Sequence, residues 1–219
     1  MFEWLFFVAI LIFSIVIHEV SHGLMAYQLG DTTAKNAGRL TLNPISHIDP
    51  IGSILVPLLL VITKSPFLFG WAKPVPVNPF NFKDQKWGDL KVSFAGPGSN
   101  LLIALFFGLI LRFFPDIAGQ SPALASMFAG IVFINVLLAI FNLIPVPPLD
   151  GSHILFSLLP VSMNNVKDFL QRNGLIISLL FFYLIFVGII PLFSATFFIF
   201  SLIAGQGATA SLDNFLQII

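Results

Sequence analysis

The sequence predicts an all-α polytopic membrane protein. Of its 219 residues, 57% are hydrophobic and only 9% are charged, whereas a soluble domain carries about 25% charged residues. Apolar stretches long enough to cross a bilayer recur along the chain, and no polar stretch remains that could form a separate soluble core. We therefore expect a single membrane-embedded domain over residues 1–219.

The composition also excludes several classes of function. The formal net charge is zero and no basic tract occurs, so nothing indicates a nucleic-acid partner. The chain contains no cysteine, which rules out disulfides and thiolate metal sites and leaves histidines and carboxylates as metal ligands. The first apolar stretch lacks a basic leader and a small-residue cleavage site, so we expect a mature helix there and not a signal peptide.

A pair of histidines lies on one face of the predicted first helix, residues 2–29. This helix would be about 42 Å long, enough to cross a hydrocarbon core of about 30 Å. His18 and His22 are four residues apart, so their imidazoles converge on one point, as in helical zinc sites. Glu19 emerges at the edge of that face, where a carboxylate can act as general base without ligating the metal. Gly30 and Asp31 end the helix.

The setting of this motif favours a functional interpretation. His-Glu-x-x-His fixes only three positions, and two helical histidines that merely pair with neighbours are the structural alternative. Residues 2–17, however, contain a single charged residue, Glu3. Ionisable groups that follow so apolar a stretch lie within lipid or protein, where they are costly and generally functional.

The stretch from residue 32 to residue 91 holds seven of the ten basic residues. By the positive-inside rule it is cytoplasmic, which puts the N-terminus outside and the histidine motif nearer the cytoplasmic face. Residues 38–42 and 75–77 are predicted to be short extended β pieces, the latter fixed by flanking prolines. Such backbone can pair with an unwound peptide.

The remaining apolar segments complete the predicted topology. Residues 51–63 are too short for a span and contain Pro57, so we expect a re-entrant segment, with residues 66–71 as its returning arm. Residues 92–111 and 123–144 predict two further membrane helices. Residues 153–172 predict a short helix and then a polar cytoplasmic turn. Residues 173–212 carry no charge, and Pro191 is expected to divide them into one kinked or two short C-terminal membrane helices.

A third metal ligand is needed, because catalytic zinc generally has three protein ligands and an open position. The candidates at a suitable depth are His47, Asp49, Asp150 and His153. Asp150 is favoured because it follows a proline-broken membrane helix, where irregular backbone is tolerated only in a protected, hydrated cavity. Asp150 can meet the histidines only if residues 51–71 form a re-entrant loop or cross the membrane an even number of times.

These candidates have structural alternatives. Asp150 is also suited to cap the helix that follows it. His47 and His153 are expected to form hydrogen bonds and not to ligate metal. Asn142 is a candidate substrate-binding residue, although a polar contact between helices explains it nearly as well.

Together these residues resemble the site-2 protease family of intramembrane zinc metalloproteases. The resemblance rests on the His-Glu-x-x-His motif, on Ala95-Gly96-Pro97 with Asn100, on Asn142-x-x-Pro145-x-Pro147-x-Leu149-Asp150-Gly151, and on the compact bacterial and archaeal pattern at residues 70–79. It covers roughly residues 2–159. We expect the chain to differ from some relatives in having no helix before the histidine helix and neither a PDZ nor a CBS domain.

The resemblance implies a three-helix catalytic core over about residues 2–159, followed by the C-terminal helices. It implies one Zn²⁺ held by His18, His22 and Asp150, with Glu19 as general base. The implied substrate is a membrane-spanning protein, and the implied location is the cell membrane.

Two other functions remain open at this point. One is a non-enzymatic metal-binding membrane protein, such as a carrier or a scaffold, although transport needs ligands and no base, so Glu19 favours an enzyme. The other is a membrane-bound metallopeptidase that acts on soluble substrates. Two histidines and a carboxylate also suit Fe(II) or Co(II).

Overall fold

The structure, a computed structural model, describes residues 2–64, 70–116 and 120–217, with the side-chain surroundings of residues 2–4 and 161 outside the description. Helices make up most of this part, and no strand occurs within it. The α-helices are α1 (Phe2–Gln28), α2 (Thr33–Asn36), α3 (Val56–Ile62), α4 (Gly88–Phe113), α5 (Pro122–Leu143), α6 (Asp150–Leu158), α7 (Asn164–Arg172), α8 (Gly174–Phe186), α9 (Leu192–Ala204) and α10 (Thr209–Leu216).

Three helices, α1, α4 and α5, are long and apolar enough to cross a membrane. Two bent pairs raise the number of candidate spans in the described residues to five: α7 with α8, bent by 72°, and α9 with the segment Gln206–Leu216, bent by 117°. The prediction of a polytopic helical membrane protein is therefore confirmed. Pro191 divides the C-terminal region, as expected, into separate helices α8 and α9.

Helix α4 lies between α1 and α5 and packs against both. Small residues permit this close packing: Ala104 of α4 and Ala129 of α5 are fully buried in the main apolar core. Helix α9 packs against both α4 and α5, and α10 packs against α5, where a Cβ added to Gly130 would lie 2.4 Å from the Phe215 ring. Helix pairs in lipid rely on such small residues because the hydrophobic effect cannot drive their association.

Helices α1 and α2 end in the same way, each at a glycine with positive φ. Gly30 (φ 107°) follows α1, and Gly38 (φ 66°) follows α2. In each case the next residue donates its N–H back into the helix, from Asp31 to Ala26 O (2.9 Å) and from Arg39 to Ala34 O (2.9 Å). This is the Schellman arrangement. It fixes the direction in which the Asp31 and Arg39 side chains leave the two helices.

The segment between α2 and α4 leaves the helix bundle and returns to the same place. A π-helical turn, Pro50–Leu55, runs into α3. After the loop, the Trp71 N–H donates to Gly52 O (3.2 Å), and Ser53 Oγ donates to Trp71 O (2.7 Å). The two ends of the segment therefore lie side by side, the geometry expected of a re-entrant segment. Most of the predicted returning arm, residues 66–71, lies outside the described residues.

The prediction of short β pieces is wrong for both segments. Residues 38–42 begin with the C-terminal turn of α2, and residues 75–77 have no neighbouring strand. Pro74 and Pro76 cannot donate to a ladder, and the Val75 N–H donates instead to the Glu19 carboxylate (2.9 Å).

Two helix boundaries also differ from the prediction. Helix α4 begins at Gly88 and not at residue 92, and the expected polar turn is helix α7. Helix α7 is strongly amphipathic, so its charges occupy one face of a helix and do not interrupt it.

Asp31 is the fully buried carboxylate that joins the end of α1 to residues 78–81. It accepts hydrogen bonds from the Asn78 N–H (2.7 Å), from Asn81 Nδ2 (2.7 Å) and from the N–H and hydroxyl of Thr33. Burial by itself would raise the Asp31 pKa, but these hydrogen bonds stabilise the carboxylate and hold its pKa below the ordinary value.

We expect Asp31→Asn to lower the free energy of unfolding by about 2–4 kcal/mol, because the amide cannot accept all of these hydrogen bonds. A group with a depressed native pKa stabilises the fold above its unfolded-state pKa, and that stabilisation is lost as pH falls through the native value. The difference between parent and variant should thus be full at neutral pH and shrink in acid. Thermal unfolding in detergent at several pH values measures it, and a difference that grows in acid would contradict the assignment.

Candidate metal centre

Helix α1 brings His18 and His22 together on its inner face. Their rings are nearly perpendicular, with centroids 4.7 Å apart and an interplanar angle of 82°. The two Nε2 atoms are 3.1 Å apart. Both side chains are buried within the bundle, so the predicted convergence of the imidazoles is what the helix produces.

Asp150 reaches the same point from the turn after α5. Prolines end α5, and the chain passes through an irregular turn into α6, of which Asp150 is the first residue. A Cβ on Gly151 would lie 2.3 Å from Leu143 O, so only glycine lets α6 start this close to the end of α5. Asp150 Oδ2 then lies 3.0 Å from His18 Nε2 and 3.3 Å from His22 Nε2. The N-cap residue of α6 is Leu149, so Asp150 does not occupy the capping position that was the alternative explanation for it.

The three atoms form a nearly equilateral triangle whose size suits a small metal ion. Its edges are 3.0, 3.1 and 3.3 Å. Zinc binds such nitrogen and oxygen ligands at about 2.0–2.2 Å in tetrahedral geometry, which separates neighbouring ligand atoms by about 3.3–3.6 Å. The donor set of two imidazoles and one carboxylate is also that of catalytic zinc sites. The residues therefore fit a divalent metal ion.

Hydrogen bonds on the far side of each ring place a proton on Nδ1. His22 Nδ1 donates to the Val92 carbonyl oxygen (2.7 Å), and His18 Nδ1 donates to Asn100 Oδ1 (2.7 Å). Because Nδ1 is the donor, each ring in its neutral form directs the lone pair of Nε2 toward Asp150. Two lone pairs and a carboxylate oxygen repel one another at this distance unless a cation or protons lie between them.

Asn100 belongs to a buried polar network that joins three helices. Its Nδ2 donates to Asn135 Oδ1 (2.8 Å), and Asn135 Nδ2 donates to Ser14 Oγ (3.0 Å). Both asparagines are fully buried. The network therefore links α1, α4 and α5 directly behind His18. Sequence reasoning gave Asn100 no contact and Asn135 no role, although an asparagine in an otherwise apolar membrane helix is itself a signal.

Gly96 of α4 leaves the room that the cluster needs. A Cβ at this position would lie 2.4 Å from His22 Nε2 and 2.6 Å from His18 Nε2. Both atoms are the proposed ligand atoms. Gly98, one residue beyond Pro97, faces elsewhere, and a Cβ there would meet the Phe94 ring at 3.3 Å.

Glu19 stands beside the cluster and outside the triangle. Its Oε2 accepts the Val75 N–H (2.9 Å) from the segment that precedes α4. The carboxylate is thus held by a backbone donor and does not serve as a fourth member of the group. This is the position expected of a base that does not ligate the metal.

The other candidates lie elsewhere. Asp49 Oδ1 accepts from the N–H groups of Ile51 and Gly52 at the start of the π-helical turn. His47 bonds through Nε2 to Thr41 O, and the His153 ring packs against Phe156. Asn142 Nδ2 donates to Leu138 O within α5. Among the described residues, the cluster of potential metal ligands contains His18, His22 and Asp150 alone.

Comparison with known proteins bears on this geometry. The family model described as peptidase family M50 matches residues 116–186, a range that includes Asp150. The chain is 41% identical over 182 residues to "Putative zinc metalloprotease YwhC" of Bacillus subtilis (strain 168), an alignment that covers 81% of this chain and 80% of that protein. The chain belongs to peptidase family M50, the site-2 protease family. The predicted resemblance is therefore confirmed, and the chain is a metalloprotease by family.

More distant relatives agree with membership of the M50 family. The proteins named "Putative zinc metalloprotease Rip2" from Mycolicibacterium smegmatis (strain ATCC 700084 / mc(2)155) and Mycobacterium tuberculosis (strain ATCC 25618 / H37Rv) are each 31% identical over 141 residues. Those alignments cover 63% of this chain and 51% of each relative. No solved structure was found to match the chain.

Gly96→Ala is expected to abolish metal retention, because the added methyl group would occupy the space next to both Nε2 atoms. Gly98→Ala is the matched control in the same helix and should keep its metal. The measurement is the metal content of the purified proteins and their competition with a chelator. Equal metal affinity in the two variants would show that the cluster is not the binding site.

Proposed function

We propose that this M50 protein is an intramembrane zinc metalloprotease that hydrolyses peptide bonds in or near the membrane-spanning segments of other proteins. The observation that carries the proposal is the convergence of His18, His22 and Asp150 inside a bundle of membrane-spanning helices. The names of the relatives, which are zinc metalloproteases, support zinc as the metal. The whole chain would act as one domain.

In this proposal each member of the site has a separate role. His18, His22 and Asp150 hold one zinc ion, which when bound polarises the scissile carbonyl and activates water. Glu19 accepts the proton of the attacking water and passes it to the leaving amine. Asn100 and the Val92 carbonyl keep the two imidazoles in the required tautomer and orientation. Asn142, the second-to-last residue of α5, is proposed to bind the substrate backbone.

The depth of the site explains why a membrane-spanning substrate is proposed. His18 is 16 residues beyond Phe2, or about 24 Å along α1, and ten residues, or about 15 Å, before its end. The zinc ligands therefore lie within the apolar thickness and not on an exposed domain. A substrate helix must unwind at this depth, because its carbonyl groups are hydrogen-bonded and sterically shielded while it is helical.

Glu19→Gln is expected to lower the cleavage rate of a membrane-spanning reporter by about 10²–10⁴-fold, the usual contribution of a general base. It should retain zinc, whereas Asp150→Asn should lose both zinc and activity. Cleavage is followed in proteoliposomes that contain a tagged single-span reporter, and zinc is measured on the same preparations. Asp84→Asn, which alters a partly exposed carboxylate that pairs with Lys91 and lies outside the cluster, is the control.

Three results would contradict the proposal. Cleavage by Glu19→Gln at the parental rate would remove Glu19 from the chemistry. Zinc flux across the proteoliposome membrane without proteolysis would favour a metal carrier. Cleavage of soluble peptides but not of the spanning reporter would favour a membrane-bound peptidase with soluble substrates.

We also propose that the N-terminus lies outside and the zinc site nearer the cytoplasmic face. Since the chain has no cysteine, single cysteines can report each side. Lys83→Cys, in the basic stretch before α4, should react with an impermeant maleimide only after cells are permeabilised. Asp116→Cys, after α4, should react in intact cells. The reverse labelling pattern would overturn the orientation.

A further inference from the structure

The segment of residues 73–78, called here the proline segment, lies against the metal centre and is held by buried groups at several points. Pro74 and Pro76 have no N–H, so Val75 carries the lone backbone donor of the Pro-Val-Pro sequence. That donor goes to Glu19 Oε2 (2.9 Å). The alternation of prolines therefore leaves one N–H, and this N–H is hydrogen-bonded to Glu19, the proposed base.

Both ends of the proline segment are fixed by charged side chains. Arg39, which is 8% exposed, donates from Nη2 to Lys73 O (2.7 Å) and more weakly to Pro74 O (3.4 Å). Asp31, which is fully buried, accepts the Asn78 N–H (2.7 Å). Each of these side chains comes from the residue that directly follows a helix-ending glycine, so its direction is set by the end of α1 or α2.

The segment is also in close contact with α1 beside the metal ligands. A Cβ on Gly23 would lie 2.8 Å from Val75 Cγ1 and 2.6 Å from Leu40 Cδ2. Val75 is 7% exposed, and the Lys73 N–H donates to His47 O (2.9 Å). The contacts at both ends of the proline segment and its packing against α1 therefore fix the Val75 N–H, which has little freedom to leave Glu19.

We propose that Arg39 is a positioning residue for Glu19: by holding Lys73 and Pro74, it keeps the Val75 N–H on the Glu19 carboxylate and so fixes the orientation of the base. Asp31 acts in the same way from the other end of the proline segment. One carboxylate oxygen accepts the amide, which leaves the other oxygen to accept the proton of the attacking water. The catalytic importance of that orientation rests on the proposed function. The hydrogen bond between Val75 and Glu19 can be tested without measuring activity.

Amide hydrogen exchange at Val75 tests the contact directly. Labelling with ¹⁵N-valine and ¹³C-carbonyl proline selects the four Pro–Val amides of the chain: Val75, Val77, Val146 and Val161. In detergent micelles, with zinc and after chelation, we expect Val75 to exchange at least about tenfold faster in Glu19→Ala and in Arg39→Met than in the parent. The Val146 amide, bonded to Ile144 O in the turn before Asp150, should not change and serves as the internal reference.

Kinetics with the spanning reporter test the consequence. Arg39→Met should lower kcat by roughly ten- to a hundredfold, the scale of an ångström-sized misplacement of a catalytic group, while KM and zinc content stay close to parental. Arg39→Lys retains a donor and should recover most of both the exchange protection and kcat. Lys35→Met removes a surface cation that contacts Tyr27 and should change neither. If Arg39→Met does not fold, the comparison of Arg39→Lys with the parent decides: exchange at Val75 slightly faster than in the parent supports the proposal, and exchange as fast as in Glu19→Ala overturns it.

The proposal is overturned if Arg39→Met keeps both the slow exchange of Val75 and the parental kcat, or if exchange at Val75 is unchanged in Glu19→Ala. It is also overturned if Arg39→Lys fails to recover exchange protection in a folded protein. A parent protein that cleaves no membrane-spanning reporter would contradict the proposed function instead. The exchange rates at Val75 would still decide whether Arg39 holds the Val75 N–H on Glu19.

Discussion

The structure depends on bringing two imidazoles and a carboxylate into contact inside an apolar bundle. Polar groups in such surroundings are costly unless every one has a partner. The Nδ1 side of each ring is satisfied by Asn100 or by the Val92 carbonyl, and the Nε2 side faces Asp150. Asn135 and Ser14 then satisfy Asn100 in turn. The packing of α1, α4 and α5 and the chemistry of the site therefore depend on the same hydrogen bonds, so a change in one alters the other.

Glycine and proline place the polar groups that the helices alone could not. Gly96 and Gly151 remove side-chain atoms where the His18 and His22 rings and the end of α5 come closest. The prolines after α5 break the helix so that Asp150 turns back toward α1. Glycine costs a helix about 1 kcal/mol relative to alanine, so its presence within α4 agrees with a requirement for space at the ligands.

Much of this was predictable from the sequence, for physical reasons. The apolar lengths gave the helices, the four-residue spacing gave the convergence of His18 and His22, and the broken helix indicated Asp150, because each of these depends on local chain geometry. The contact between Val75 and Glu19 was not predictable, since it joins residues 56 apart through the path of an irregular segment. The β pieces were predicted from proline-fixed extended backbone, but a strand also needs N–H donors and a neighbour. Pro74 and Pro76 provide no donors, and Val75 uses its own on Glu19.

The backbone groups of the proline segment that are already hydrogen-bonded limit how a substrate can bind. In the proposed function, a peptide that unwinds near His18, His22 and Asp150 needs partners for the backbone groups that its helix had satisfied, because water is scarce within a membrane. Residues 74–76 cannot offer an N–H to it, and Arg39 already occupies the carbonyls of Lys73 and Pro74. The proline segment is thus poorly suited to pair with substrate as a β-strand. Under the proposed function its rigidity positions Glu19 instead. The partners for an unwound substrate then come from other backbone or side chains, with Asn142 at the end of α5 as the proposed candidate.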